Sequence, residues 1–200
     1  MKRLGSLGLS LCLLLSVSGP TMSGQAWAAT KTPIVDSGER YVAGQTLAEN
    51  YHLGAGDKVK VNVFNEPQLS GEYQVAPDGT ISLPLVGVLS VIDKTTAQVA
   101  AAFEEMLGQD YLRNPKVAAE VTLYRPFFIV GEVHMPGQYP YAAGLTAWNA
   151  IATAQGLTPR GREGYVYIRK YGSAEEVRYA LTPDLRVWPG DTIRVAERFF

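Results

Sequence analysis

Two short stretches constrain the fold of this 200-residue chain more than any others: "GAGDKVKVNVF", beginning at Gly54, and "WPGDTIRVAERFF", beginning at Trp188. In each, a Gly-Asp pair precedes apolar residues that alternate with polar ones, Val59, Val61 and Val63 in the first, Ile193 and Val195 in the second. Alternation with a period of two buries one face of a β-strand and leaves the other in water. The preceding pairs, Gly56-Asp57 and Gly190-Asp191, predict tight turns in which the carboxylate accepts backbone N–H groups where the strand starts. Gly54 and Gly56 also supply the first two glycines of a dinucleotide loop. The third position, however, holds Val59, and the segment leads into a strand instead of joining a strand to a helix. A phosphate cradle fails on both counts.

Between these stretches the pattern alternates strand and helix. "EYQVAPDGTISLPLVG" places Pro77-Asp78-Gly79 between two alternating segments and predicts a β-hairpin, with Gly79 at the positive φ of the bend. "TTAQVAAAFEEMLG" predicts a helix with Thr95 and Gln98 as a capping box, an apolar stripe of Val99, Ala102, Phe103, Met106 and Leu107, and Gly108 as its left-handed end. "PKVAAEVTLY" follows as a strand with Val117, Ala119, Val121 and Leu123 on one face. Arg125-Pro126 marks a seam, since proline restricts the residue before it and interrupts a ladder. Beyond it come a strand in "FFIVGEV", a Pro-Gly turn with a return strand in "HMPGQYPY", and a helix in "LTAWNAIATAQG" from Thr146 to Gly156. Strands in "GYVYIRK", "EEVRYAL" and the final Gly-Asp segment complete the order. The fold class expected is α+β: a small module of strands, a hairpin and one helix over 47–124, then a β-grasp-like module over 125–197 whose helix lies across one sheet.

The beginning of the chain fixes the expected compartment. Lys2 and Arg3, an apolar run to about residue 18, and the small residues around "AWA" read as a secretory signal peptide over 1–28, cleaved between Ala28 and Ala29. Cleavage removes Cys12, the chain's one cysteine, and with it any disulfide or thiol chemistry. Taking Lys2 and Arg3 from the 18 basic residues leaves 16 against 19 acidic ones, which gives no electrostatic grip on nucleic acid. Residues 29–46 lack apolar periodicity and read as a flexible N-terminal arm. No later stretch reads as membrane-spanning.

Residues that could carry chemistry are sparse. His52 and His134 have no partner at metal-ligand spacing, so neither a metal nor another cofactor is expected. There is no Gly-x-Ser-x-Gly elbow, and the adjacent pairs Glu104-Glu105 and Glu175-Glu176 cannot flank one scissile bond. The chain does not read as an enzyme. Tyrosines recur in "YRPFF", "QYPYAAG" and "GYVYIRKYG"; a sugar's C–H surface stacks on such rings while the hydroxyl serves its polar groups. Tyr124, Tyr139 and Tyr141 are the candidate glycan contacts, with core packing as the competing reading of each.

One stretch, Val130-Gly131-Glu132-Val133-His134-Met135-Pro136-Gly137 followed by Tyr139, resembles the opening of an SLBB (soluble-ligand-binding β-grasp) domain. Upstream, Leu53-Gly54-Ala55-Gly56-Asp57, Val75 with Pro77-Asp78-Gly79-Thr80-Ile81, then Pro84 and Gly87, resemble the N-terminal domain of bacterial polysaccharide export proteins. In that light Gly54, Gly56, Asp57, Pro77, Asp78, Gly79, Gly131, Glu132, Pro136, Gly137, Gly190 and Asp191 are family motif and turn positions, structural or at interfaces. The resemblance implies a periplasmic component of a capsule or exopolysaccharide export machine associated with the outer membrane. It implies a homo-oligomeric ring working with an inner-membrane polysaccharide co-polymerase on the exported polysaccharide. The alternative is a periplasmic glycan-binding module with no conduit role. Larger family members add a C-terminal amphipathic helix that forms the pore. Since this sequence stops at Phe200, the expectation is a short component joined to a separate outer-membrane β-barrel.

Overall fold

A computed structural model describes residues 34–35, 38–40, 51–83 and 86–198. The signal segment and its Ala28-Ala29 junction lie outside the described residues, as does Pro84.

The first module is built on β2 (Lys58–Val63), whose Val59, Val61 and Val63 are buried while Lys60 and Asn62 meet solvent. β2 lies between β3 (Gly71–Gln74) and β6 (Val117–Leu123), both antiparallel to it. The register slips between Lys58 and Val59, at the end of β6 where Leu123 is left exposed instead of continuing the inward row. β4 (Thr80–Leu83) and β5 (Gly87–Ser90) form a separate antiparallel pair. The expected hairpin across Pro77-Asp78-Gly79 is therefore corrected. Its turn forms, with Gly79 at φ 79° and the Ala76 N–H donating to Thr80 O at 2.8 Å, but β3 leaves to pair with β2 and β4 with β5. Asp78 holds the turn by accepting from the Thr80 N–H at 3.1 Å and hydroxyl at 2.7 Å.

α1 (Thr96–Asp110) packs against β6 with Val99, Phe103 and Leu107 buried at four-residue spacing. Thr95 and Gln98 form the reciprocal capping box. Burying Phe103, 1% exposed, stabilises by about 3 kcal/mol, and Phe103→Ala should cost about 3–5 kcal/mol. The helix does not stop at Gly108. It runs on to Asp110, and the Leu112 N–H returns to Leu107 O at 2.8 Å as Leu112 packs on the core. Tertiary packing outweighs the glycine penalty of about 1 kcal/mol, and the left-handed residue is Asn114 instead, directly before Pro115.

The second module is a six-stranded sheet in the order β1-β10-β9-β11-β7-β8. Its strands are β1 (Ile34–Val35), β7 (Phe127–Gly131), β8 (Gly137–Tyr139), β9 (Gly161–Arg169), β10 (Glu176–Ala180) and β11 (Thr192–Glu197). β7 and β11 run parallel at the centre, β8 returns antiparallel to β7, and β9 and β10 complete the other side. That is a β-grasp-like arrangement. α2 (Ala147–Thr153), capped by the Thr146 hydroxyl, packs Ala147, Ala150 and Ile151 on the face that carries Phe127, Ile129, Val166, Ile168, Ile193 and Val195. Gly131, at φ 90°, is needed where β7 meets β11: a Cβ there would lie 2.1 Å from Val195 O.

The N-terminal arm also differs from expectation at its described residues. Ile34–Val35 pair in parallel with Arg178 and Tyr179, Glu39 O accepts the Arg186 N–H at 2.8 Å, and the Glu39 carboxylate accepts Trp188 Nε1–H at 2.6 Å. β10 would otherwise present an open edge, and the arm satisfies its backbone groups. No local periodicity could reveal this, because the partner strand supplies the order.

Candidate functional site

The two Gly-Asp turns are the same construction. In the first, the Gly54 N–H donates to Asp57 Oδ2 at 2.8 Å and the Asp57 N–H returns to Gly54 O at 3.2 Å. In the second, the Trp188 N–H donates to Asp191 Oδ2 at 2.9 Å and the Asp191 N–H returns to Trp188 O at 3.1 Å. Gly56 and Gly190 stand at the same position of the two turns with φ of 92° and 86°, which explains both glycines. Both carboxylates are buried, Asp57 at 0% and Asp191 at 2% exposure. A buried charge needs several donors. The other oxygen of each supplies the long-range tie: Asp57 Oδ1 accepts the Arg125 N–H at 2.7 Å, and Asp191 Oδ1 accepts the Tyr171 N–H at 3.2 Å. Asp57 Oδ2 also takes the Tyr51 hydroxyl at 2.6 Å.

Arg125 binds the two turns together. Its Nε donates to Pro189 O at 3.0 Å, its Nη1 lies 3.9 Å from Asp57 Oδ2, and its guanidinium stacks over Tyr171 at 4.0 Å and stands 5.6 Å from the Tyr51 ring. A Cβ on Gly54 would fall 1.5 Å from Arg125 Nη1, so glycine at 54 is required by the arginine as well as by the turn. Tyr124 fills the space beside it, edge-on to Tyr51 at 5.0 Å and to Tyr141 at 5.6 Å. Tyr124 and Trp188 are the side chains that pack against both hydrophobic cores.

Electrostatics follow from this burial. Burial, and then the hydrogen bond to the Asp57 carboxylate, push the Tyr51 phenol far above the ordinary tyrosine range. Burial raises Tyr124 and Tyr141 as well. Asp191 is pushed up to about 6 by burial, against the pull of its two backbone N–H donors. Glu176 lies below the usual carboxylate range because of its hydrogen bonds from Arg194.

The other motif residues fall elsewhere. Glu132 Oε2 accepts the Thr158 hydroxyl at 2.6 Å, and the His134 and Met135 N–H groups donate to Gly156 O and Ala154 O, docking the Pro136-Gly137 turn on the end of α2. Pro77 is exposed on its turn. Of the three candidate glycan contacts, Tyr141 is corrected to a core residue, 6% exposed with its hydroxyl donating to Val187 O at 2.9 Å. Tyr124 is wedged in the seam. Tyr139 is partly exposed, stacked on Phe127, and its hydroxyl donates to Met135 O at 2.6 Å. The residue that sequence reasoning missed is Arg125: its position at the seam was legible, but its hydrogen-bond partners lie 64 or more residues away in sequence. Among the described residues no three His, Cys, Asp or Glu side chains gather where they could hold a metal ion, and no helix is long and apolar enough to cross a membrane.

What fold and seam define is a two-core α+β protein whose two Gly-Asp turns brace the junction between the cores. Comparison with known sequences bears on the first module: residues 45–122 match the family described as polysaccharide biosynthesis/export protein. The chain is 37% identical over 147 residues to the exopolysaccharide production protein ExoF of Rhizobium meliloti (strain 1021), covering 66% of this chain and 34% of that one. It is 30% identical over 130 residues to the polysialic acid transport protein KpsD of Escherichia coli, 63% of this chain and 23% of that one. It is 24% identical over 206 residues to the EPS I polysaccharide export outer membrane protein EpsA of Ralstonia nicotianae (strain ATCC BAA-1114 / GMI1000), 84% of this chain and 54% of that one. The chain thus spans about a third of ExoF, a quarter of KpsD and half of EpsA.

Proposed function

We propose that this chain is a secreted, non-catalytic component of a polysaccharide export machine, acting in the periplasm as a ring-forming or adaptor subunit on the path to the outer membrane. The observation that carries the reading is the export-family match over 45–122, in a chain whose matched region is locked through Arg125 to a β-grasp-like module. That second module is read as an SLBB domain on the strength of its strand order and of the Gly131-Glu132 and Pro136-Gly137 segment at its first hairpin. The names of the relatives, an exopolysaccharide production protein, a polysialic acid transport protein and a polysaccharide export outer membrane protein, support a role in export. Neighbours expected on this reading are further copies of the chain, an inner-membrane co-polymerase and an outer-membrane β-barrel. Closed rings also suit a small protein with sheet edges to cover.

The test combines deletion with in vivo crosslinking. A strain lacking the protein should synthesise but not secrete its polysaccharide. A photocrosslinker at Met135, exposed on the 134–137 turn, should capture a second copy, the co-polymerase or the barrel. Unchanged secretion in the deletion strain, with a strictly monomeric protein that crosslinks to nothing, refutes the reading.

A further inference from the structure

Resting on the export reading, we infer that the sheet face opposite α2 is a binding track for an acidic glycan, with Tyr171 as an apolar platform and Arg169 as the contact to the sugar's carboxylate. Strand alternation turns Phe128, Val130, Tyr165, Tyr167, Thr192 and Arg194 away from the α2 side, where their neighbours Ile129, Val166 and Ile193 are buried. Two open hollows lie on this face. One, of about 440 Å³, is lined by Phe128, Val130, Arg169, Lys170, Tyr171 and Thr192. The other, of about 400 Å³, is lined by Tyr165, Tyr167, Arg194 and Glu197 among others. They adjoin along β11, between Thr192 and Glu197, a strip of roughly 17 Å at the usual rise of a strand. Each has the volume of a small-ligand site, and together they form a shallow groove suited to a linear chain.

The chemistry of the face selects among polymers. Apolar ring surface at Phe128, 39% exposed, and Tyr171, 49% exposed, suits the C–H faces of sugars. Three carboxylates at or beside the hollows are already engaged: Glu176 is held by Arg194 at 2.6 and 3.0 Å, Glu197 by Arg160, and Glu132 by Thr158. Arg169 faces Glu176 across the β9–β10 pairing and adds to the field on that carboxylate, whose hydrogen bonds come from Arg194; the Arg169 side chain also makes a long contact, 3.5 Å, to the Thr192 hydroxyl. Lys170 beside it meets Glu39 at 3.5 Å near the surface. The first hollow therefore carries two cations and no acidic side chain, a complement to a carboxylate-bearing sugar. Tyr171 is also set in place beforehand: Arg125 stacks on its ring and Asp191 holds its N–H, so little side-chain ordering remains to be lost on binding.

Titration of the mature chain with oligogalacturonate, beside maltohexaose as a neutral probe, tests this by calorimetry or by amide chemical shifts. Oligogalacturonate should bind saturably and at least about tenfold more tightly than the neutral oligomer, and should weaken several-fold as salt is raised. Tyr171→Ala and Arg169→Gln should each lower affinity by about fivefold, the scale of one aromatic or one exposed charged contact. Trp148→Ala, on the outer side of α2, should change nothing. Lys170→Gln provides a second charge variant should Arg169→Gln unfold, and thermal unfolding of each variant identifies that case. Equal binding of both oligomers, no binding of either, or affinity unmoved by Tyr171 and by both cations overturns the inference. So does a face protected by self-association and indifferent to glycan. Secretion lost on deletion together with no glycan binding would sink the track alone and leave the export reading standing.

Discussion

Asp57→Ala removes the centre of the seam, and its cost can be worked from the contacts. The wild-type carboxylate, 0% exposed, accepts from the Tyr51 hydroxyl at 2.6 Å, the Gly54 N–H at 2.8 Å and the Arg125 N–H at 2.7 Å. It also lies 3.9 Å from the Arg125 guanidinium, whose side chain is 12% exposed. Alanine leaves three donors without their acceptor and an arginine without its counter-charge. At about 1–2 kcal/mol for each orphaned donor, and allowing that water enters the space, the loss is about 4 kcal/mol. That is a large fraction of the total stability of an ordinary domain. With a urea dependence of about 2 kcal/mol per molar, the unfolding midpoint should fall by about 2 M.

Two companion variants make the reasoning refutable. Asp57→Asn retains one acceptor oxygen but points an amide N–H at a donor, and should cost about half as much. Tyr51→Phe removes one donor from a carboxylate that keeps its others, about 1 kcal/mol. In the Asp57→Ala background the same Tyr51→Phe change should be neutral or stabilising, since the hydroxyl is then already orphaned. A midpoint shift under about 0.5 M for Asp57→Ala, or a Tyr51→Phe cost identical in both backgrounds, would show that the network contributes little and that packing alone holds the seam.

Gly131→Ala should destabilise by about 3 kcal/mol or more, read as a thermal midpoint lowered by roughly 6–12 °C, since it adds a positive-φ penalty to a clash with backbone. Gly137→Ala, where an added Cβ meets nothing within 4 Å, should stay within about 0.5 kcal/mol, so equal effects at the two motif glycines would refute the steric account. Asp191 makes stability depend on pH in an unusual direction. Its folded value of about 6 lies above its unfolded one, so the folded state holds more protons in between and stability falls as pH rises through that window. Relative to Asp191→Asn, the wild type should gain about 1.3 kcal/mol from about pH 7 to about pH 5. Parallel pH profiles for the two would show that Asp191 does not titrate there.

The parts of the fold legible in the sequence are those whose causes are local. Gly54 to Asp57 and Trp188 to Asp191 each span four residues, and their closing hydrogen bonds lie within that span, so composition and spacing were enough. The Thr95 cap and the Val99, Phe103, Leu107 stripe are local in the same sense. Where a choice between partners decided the outcome, local pattern failed. The turn at Gly79 was readable, whereas the divergence of β3 and β4 depends on β2 and β5 offering better pairing. In "QYPY" nothing local says that Tyr141 turns into the core while Tyr139 stays at the surface. Arg169 and Tyr171 lay in a stretch already noted for its tyrosines. Their convergence with Phe128 and Thr192 exists only once β9, β11 and β7 share a sheet.

The seam explains why the chain uses the same turn twice. The connection between β6 and β7 is only Tyr124, Arg125 and Pro126, and each is fixed by one of the turns or by a core. Tyr124 packs between Tyr51 and Tyr141, Arg125 joins Asp57 to Pro189, and Pro126 O accepts the Gly190 N–H at 3.1 Å. A carboxylate suits both turns because one residue can accept a turn-closing N–H with one oxygen and a distant N–H with the other, which a serine or threonine hydroxyl, with a single oxygen, cannot do at that reach. The difference between the turns is the cation. Asp57 has Arg125 bonded through its backbone and standing by through its side chain. Asp191 accepts its hydrogen bonds from backbone N–H groups alone, and burial pushes its carboxyl up. A three-residue link with every member tied down fixes the two cores relative to each other. Whatever the sheet face of the second module grips is thereby held at a set orientation to the export domain.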